Sequence, residues 1–175
     1  MSRIFIAGDG HGAIALLKGC LNQGLIPLDL SVVSNDEQLK IISLNNNLRF
    51  FTSIPYDQIS IDDLVITSGF KPIIPAEFLD KADFLNIHYS LLPKYRGMHS
   101  IVWAMINGEE EVGYTIHKTT KIIDGGPIYY QKSINIGSHN SWELMLLIDN
   151  LVEAEIASFL LSYFGGKIKL ANQIV

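Results

Sequence analysis

The sequence is poor in the residues that would tie it to several large classes of protein. It holds a single cysteine, Cys20, in 175 residues. An intramolecular disulfide and a cysteine-based zinc site are therefore excluded, and a reducing compartment suits the chain. It carries no run of like charge longer than three residues and a formal net charge of −5, which removes the basic footprint of a nucleic-acid groove or an anionic membrane surface. No apolar stretch approaches the ~20 residues that span a bilayer, and no basic segment precedes an apolar one at the start. Its five histidines show no i, i+4 pairing of the H-E-x-x-H kind, so no metal is expected. These absences predict a cytoplasmic protein that binds a small molecule, without nucleic acid, membrane or metal.

What is present is apolar. At 48% hydrophobic residues the chain can build one core and is too short for two ordinary domains, so a single domain over 1–175 is expected. RIFIAG (3 to 8) is an apolar run ending in glycine, and GAIALLKGCLNQG (12 to 24) reads as a helix closed by Gly24. PLDLSVVS (27 to 34) and DDLVITSGF (62 to 70) read as further strands, with a helix over 35 to 47 between them. DFLNIHYS (83 to 90) continues the series and is followed by a helix over 99 to 108. Later strands are expected over 112 to 119 and 127 to 136. From 141 to 164, Met145, Ile148, Val152, Ile156, Phe159 and Tyr163 fall on one helical face, with Glu143 and Asn150 opposite and Ser158 on the flank. Alternating strands and helices predict an α/β fold: an open, doubly wound, Rossmann-like domain with a mostly parallel sheet. In such sheets ligands bind outside the carboxyl ends of the strands.

The stretch NIHYSLLPKYRG (86 to 97) has more in it than a core strand needs. Asn86 and His88 stand two apart on an extended segment, so both point to one side with Cα atoms roughly 6–7 Å apart. Pro93 disfavours a helical Leu92 and prolongs an extended turn. Asp124 lies in KIIDGGPI, where Gly125 and Gly126 permit a turn and a ligand close to the backbone. A carboxylate near His88 would raise the imidazole pKa and fix its orientation.

NIHYSLLPKYRG followed by GYTIHKTTKIIDGGPI resembles the formyltransferases that use 10-formyltetrahydrofolate, a family comprising glycinamide ribonucleotide, methionyl-tRNA and amino-sugar enzymes. The likeness runs from about Gly69 to Gln131, with a weaker echo in the first strand and turn. It implies a catalytic trio of Asn86, His88 and Asp124. Asn86 would donate to the tetrahedral oxyanion, and His88 would take the proton shed by the amine or stabilise the oxyanion when protonated. Asp124 would position His88. It further implies that the loop at Ile73 and Ile74 and the loop of Thr120, Lys121, Ile122 and Asp124 hold the pterin of the co-substrate, largely through backbone groups. Ser90 and the Leu91-Leu92-Pro93 turn would brace the site. Gly10, His11, Gly12, Ser90 and Arg96 are the expected substrate contacts, since backbone amides of a glycine turn at a helix start favour anions.

Among the family's branches, RGMHSIVWAMINGE is most similar to the enzymes that formylate nucleotide-linked amino sugars for surface polysaccharides such as the O-antigen of lipopolysaccharide. GDGHGA in the first loop, and Arg-Gly at 96 to 97, depart from the purine-synthesis branch. The tRNA branch has a basic C-terminal domain that this sequence does not match in length or charge. The sugar enzymes continue past the last helix into strands often used in dimers, whereas this sequence stops at ANQIV. The expectation is a catalytic domain without that extension, with a homodimer as the expected assembly. Three rivals remain: a glycinamide ribonucleotide formyltransferase-like enzyme, a non-catalytic folate or nucleotide-sugar binding module, and an NAD-dependent oxidoreductase, because GDGHGA also fits G-x-G-x-x-A with Asp29 or Asp36 as a ribose ligand.

Overall fold

The computed structural model describes residues 3–22 and 29–173. Gly24, read as closing the first helix, and Pro27, read as opening the second strand, lie outside the described residues. The elements run β1 (Arg3–Ala7), α1 (Gly10–Asn22), β2 (Asp29–Val33), α2 (Glu37–Asn45), β3 (Arg49–Phe51), β4 (Leu64–Thr67), a 3-10 turn (Ala76–Phe78), β5 (Asp83–His88), α3 (Ser100–Ile106), β6 (Glu111–Lys118), β7 (Ile128–Asn135) and α4 (Ser141–Phe164). They form one seven-stranded sheet in the order β3-β2-β1-β4-β5-β6-β7. Pairing is parallel from β3 through β5 and antiparallel for β5–β6 and β6–β7. The expected mostly parallel α/β sheet is what the chain forms.

The apolar runs explain the layering. In β1, Ile4 and Ile6 belong to a core beneath α1 and α4, while Phe5 and Ala7 belong to a second core on the opposite face with Val33, Val65 and Phe84. A strand covered on both faces has no polar side, so it reads as a continuous hydrophobic run. Helix α4 begins with a capping box, in which Asn140 accepts from the Glu143 amide and Glu143 accepts from the Asn140 amide. Its Ile148, Val152, Ile156 and Phe159 are buried, and Glu143, Asn150 and Ser158 are exposed. Each fully buried aliphatic side chain there contributes about 1.5–3 kcal/mol.

Three expectations change. β3 is a three-residue strand, RFF, too short to show a period of its own, and it exists because β2 offers an edge to pair with. Helix α1 starts at Gly10, two residues before the expected start at Gly12. β4 ends at Thr67, because Ser68 and Gly69 leave the sheet to meet the first glycine turn: a Cβ on Gly8 would sit 1.8 Å from Ser68 O. The strand order reverses between β1 and β4, which places a crevice over the Gly8-Asp9-Gly10 turn and Ser68-Gly69. It is the same carboxyl edge at which β5 ends in His88.

Candidate active site

Asn86 and His88 stand on one side of β5, while Ile87 between them turns into the core. Antiparallel pairing sets Asn86 opposite His117 and His88 opposite Thr115. The β6–β7 connection then returns Asp124 over the end of β5. A Cβ on Gly126 would lie 1.8 Å from Lys118 O, so only glycine lets that loop close so tightly. Asp124 itself adopts φ 48°, and Tyr95 in the preceding loop φ 56°. Left-handed backbone at residues with a Cβ costs on the order of 1–3 kcal/mol and collects at functional sites.

The three residues expected as a trio come together. Asn86 Nδ2 donates to Asp124 Oδ1 at 3.3 Å and faces His117 Nε2 at 3.2 Å, while Asn86 Oδ1 accepts from Thr67 Oγ1 at 2.8 Å. Asp124 Oδ2 lies 3.6 Å from His88 Nδ1 and accepts the Gly97 amide at 2.8 Å. His88 Nε2 stands 2.8 Å from the Tyr95 carbonyl. A carbonyl only accepts, so Nε2 carries the proton and the neutral ring presents a bare Nδ1 beside Asp124.

The electrostatics match that arrangement. Burial lowers the His88 pKa, outweighing the Asp124 charge and the Tyr95 carbonyl, which favour the imidazolium. The ring is mostly neutral near pH 7. Burial alone would raise the Asp124 pKa, but the hydrogen bond with His117, the charge of His88 and the Gly97 amide together hold it down at about 2. The site pairs a fixed anion with a neutral base whose lone pair is free to accept a proton.

A cleft of about 460 Å³ joins this group to the first glycine turn, lined among others by Asp9, His11, Gly12, Ser68, His88 and Gly97. His11 Nδ1 donates to Asp149 Oδ2 at 2.7 Å, and Tyr89 Oη donates to the other oxygen of the same carboxylate. That bond, against the opposing effect of burial, raises the His11 pKa. The Gly10 amide is already taken by Asp36 Oδ2 at 3.0 Å.

The remaining expected residues fall in varied places. Ile73 and Ile122 present exposed apolar side chains, whereas Ile74 packs on the second core. Thr120 Oγ1 bonds within its own loop, to the amide and carbonyl of Ile122, and Lys121 is exposed. Ser90 is buried and donates to Lys94 O, and Arg96 donates to Gln173 Oε1 through Nε and Nη2. Both therefore hold loops in place in this structure. Of the two carboxylates considered as ribose ligands, Asp29 pairs with Arg49 at the far end of β2, and Asp36 caps α2 while holding Gly10.

Sequence reasoning did not assign roles to His117, Asp149, Tyr89 or Gln173. His117 was legible only as a residue of the strand expected over 112 to 119. Asp149 had a signal, being a carboxylate four residues after Met145 and three before Val152 on the apolar face of α4. Among the described residues no cluster of three or more His, Cys, Asp or Glu could hold a metal, and no helix is long and apolar enough to cross a membrane.

Comparison with known proteins adds to this geometry. The family described as Formyl transferase matches residues 56–155. A methionyl-tRNA formyltransferase of Mesoplasma florum is 38% identical over 106 residues, 56% of this chain and 34% of that protein. A GDP-perosamine N-formyltransferase of Brucella melitensis is 28% identical over 149 residues, 77% of this chain and 58% of that protein. The chain thus spans less than two thirds of the length of both relatives. The solved structure of WlaRD, a sugar 3N-formyl transferase, in the presence of dTDP and 5-N-formyl-THF superposes with a TM-score of 0.84 at 25% identity, covering 99% of this chain and 67% of that one.

Proposed function

The chain belongs to the formyl transferase family, and from that premise we propose that it moves the formyl group of 10-formyltetrahydrofolate onto the primary amine of a nucleotide-linked amino sugar. The observation that carries the reading is the trio itself. Asn86, His88 and Asp124 sit within hydrogen-bond or ion-pair reach at the carboxyl end of β5, beside a cleft, with His88 Nδ1 unprotonated.

In the reaction the amine nitrogen attacks the formyl carbon, and a new C–N bond forms as the carbonyl becomes a tetrahedral oxyanion. Asn86 Nδ2 donates to that oxygen, a contribution that strengthens as the charge develops. His88 Nδ1 accepts the proton the attacking amine sheds, and the resulting imidazolium is stabilised by Asp124. Collapse of the intermediate breaks the bond from carbon to the folate nitrogen, and His88 returns the proton to that nitrogen. The products are the formamide and tetrahydrofolate, with no net proton change at the site.

The exposed Ile73 and Ile122 and the backbone of the Thr120 to Asp124 loop suit a flat pterin, which gains from apolar contact with hydrogen bonds at its edge. In the cleft, the His11 ring, whose pKa is raised by Asp149, offers its imidazole to the nucleotide phosphates, with Gly10 and Gly12 at the helix start that carries it. The GDP-perosamine relative supports a nucleotide sugar, whose phosphates the His11 side chain can meet. A cytoplasmic homodimer supplying formylated sugar for a surface polysaccharide completes the reading.

Screening nucleotide-linked amino sugars with 10-formyltetrahydrofolate, while following release of tetrahydrofolate, tests it. Calorimetry with a stable folate analogue separates binding from turnover. Tight NAD binding without folate binding would overturn the proposal.

A further inference from the structure

After α4, Gly166 turns the chain at φ 64°, Ile168 packs on the first core, and Ala171 pairs with Ile128 through two backbone hydrogen bonds of 2.8 and 3.0 Å. This route brings Gln173 back to the carboxyl edge of the sheet. There its side chain has both ends in use. Oε1 accepts from Arg96 Nε at 3.2 Å and Nη2 at 2.6 Å, and Nε2 donates to Asp124 O at 2.8 Å and Gly126 O at 2.7 Å. With two bonds accepted and two donated, the amide has its full complement of partners.

The two loops it joins are the ones that orient the base. Arg96 follows Tyr95, whose carbonyl holds the His88 Nε2 proton, and precedes Gly97, whose amide holds Asp124 Oδ2. Asp124 supplies the carboxylate beside His88 Nδ1. Tyr95 and Asp124 are the two left-handed non-glycine residues of these loops, and such backbone persists only where its surroundings over-determine it. The Gln173 clamp binds the carbonyl of one and the neighbour of the other.

We propose that Gln173 is a positioning residue of the formyl-transfer site: it ties the Tyr95-Arg96-Gly97 loop to the Asp124-Gly125-Gly126 loop and so fixes His88 in its Nε2-protonated tautomer against Asp124. Gln173 touches no reacting atom. This role rests on the formyl-transfer reading, and it adds a strap that returns from beyond α4 to complete the trio.

The test uses the full chain. Gln173→Met keeps the length and neutrality of the side chain and removes all four hydrogen bonds; Gln173→Glu keeps an acceptor for Arg96 and removes both donors. Both should lower kcat by about tenfold, as a small loss of alignment does, leave the KM of the amine substrate within about twofold, and raise the folate KM by less than the loss in kcat, since the tethered loop also faces the pterin. Arg96→Ala, which spares the two donated bonds, should cost less. Imidazole 15N shifts read the tautomer directly: the parent should show His88 protonated at Nε2 alone, and both Gln173 variants a mixture. A kcat within twofold of the parent, together with unchanged 15N shifts, would overturn the clamp. If the parent transfers no formyl group, the functional reading falls, and the imidazole signals alone still decide whether Gln173 fixes the His88 tautomer.

Discussion

Two turns border one cleft at the same edge of the sheet, and they have opposite electrostatic states. At the β1–α1 turn, Asp36 holds the Gly10 amide, while Asp9 accepts from Ser34 Oγ and the Asn35 amide. The donors that make a glycine turn a ready anion site are partly consumed by the protein's own carboxylates, and the titratable base there is the His11 side chain, itself paired with Asp149. At the end of β5 the polar groups converge without cancelling, leaving a bare Nδ1 next to a partly buried carboxylate. Position at a switch point makes a site available; whether donors and acceptors are left unspent decides which turn performs chemistry.

The largest effects should come from the β5 turn. His88→Ala removes the base and should lower kcat by about a hundred- to ten-thousandfold. Asn86→Ala removes an oxyanion donor and should cost about a hundredfold or more. The double variant should be only slightly slower than the worse single one, because groups acting as a unit are not additive. Steady-state kinetics alongside folate dissociation constants check this, and both single variants should keep folate affinity. Additive losses in the double variant would separate the two roles.

Asp124→Asn should come next, with kcat lowered about tenfold or more and folate affinity weakened in the same variant, because the loop that orients His88 also faces the pterin. Its carboxyl also carries a stability signature. The folded-state pKa is depressed to about 2, so the stabilisation is fully present above the unfolded value of about 3.9 and is lost as pH falls toward 2. Urea midpoints should drop over that window in the parent and fall less steeply in Asp124→Asn.

The first turn should respond in KM. His11→Ala should raise the nucleotide-sugar KM by about tenfold, the worth of one charge-assisted hydrogen bond, with kcat nearly unchanged. Smallest of all, Asp36→Asn retains a good cap for α2 and removes a negative charge beside the α1 start. It should lower the same KM by about two- to fivefold. A rise in KM, or none, would show that the phosphates lie away from this turn.

Much of the second turn was legible because its residues are neighbours in the chain. Asn86 and His88 are fixed by the strand period, and the Asp-Gly-Gly loop announces a tight return. The first turn was legible only in part: its glycines were visible, but Asp36, which engages Gly10, lies 26 residues away and arrives only through β2. His117 reaches Asn86 by cross-strand register, and Gln173 reaches Asp124 by a path around α4. Such contacts are set by tertiary geometry and leave no local pattern. β3 escaped for a similar reason, since a three-residue strand takes its identity from the edge it joins.

The account turns on His88 acting as a neutral base in formyl transfer, and the pH dependence of kcat/KM for tetrahydrofolate release measures that most directly. Burial lowers the imidazole pKa from its ordinary 6.5, so kcat/KM should rise with pH along an acid limb whose midpoint lies below 6.5, and stay high through pH 7. A rate that falls as pH rises through the same range would mean that the protonated ring is the active form, and would contradict the mechanism.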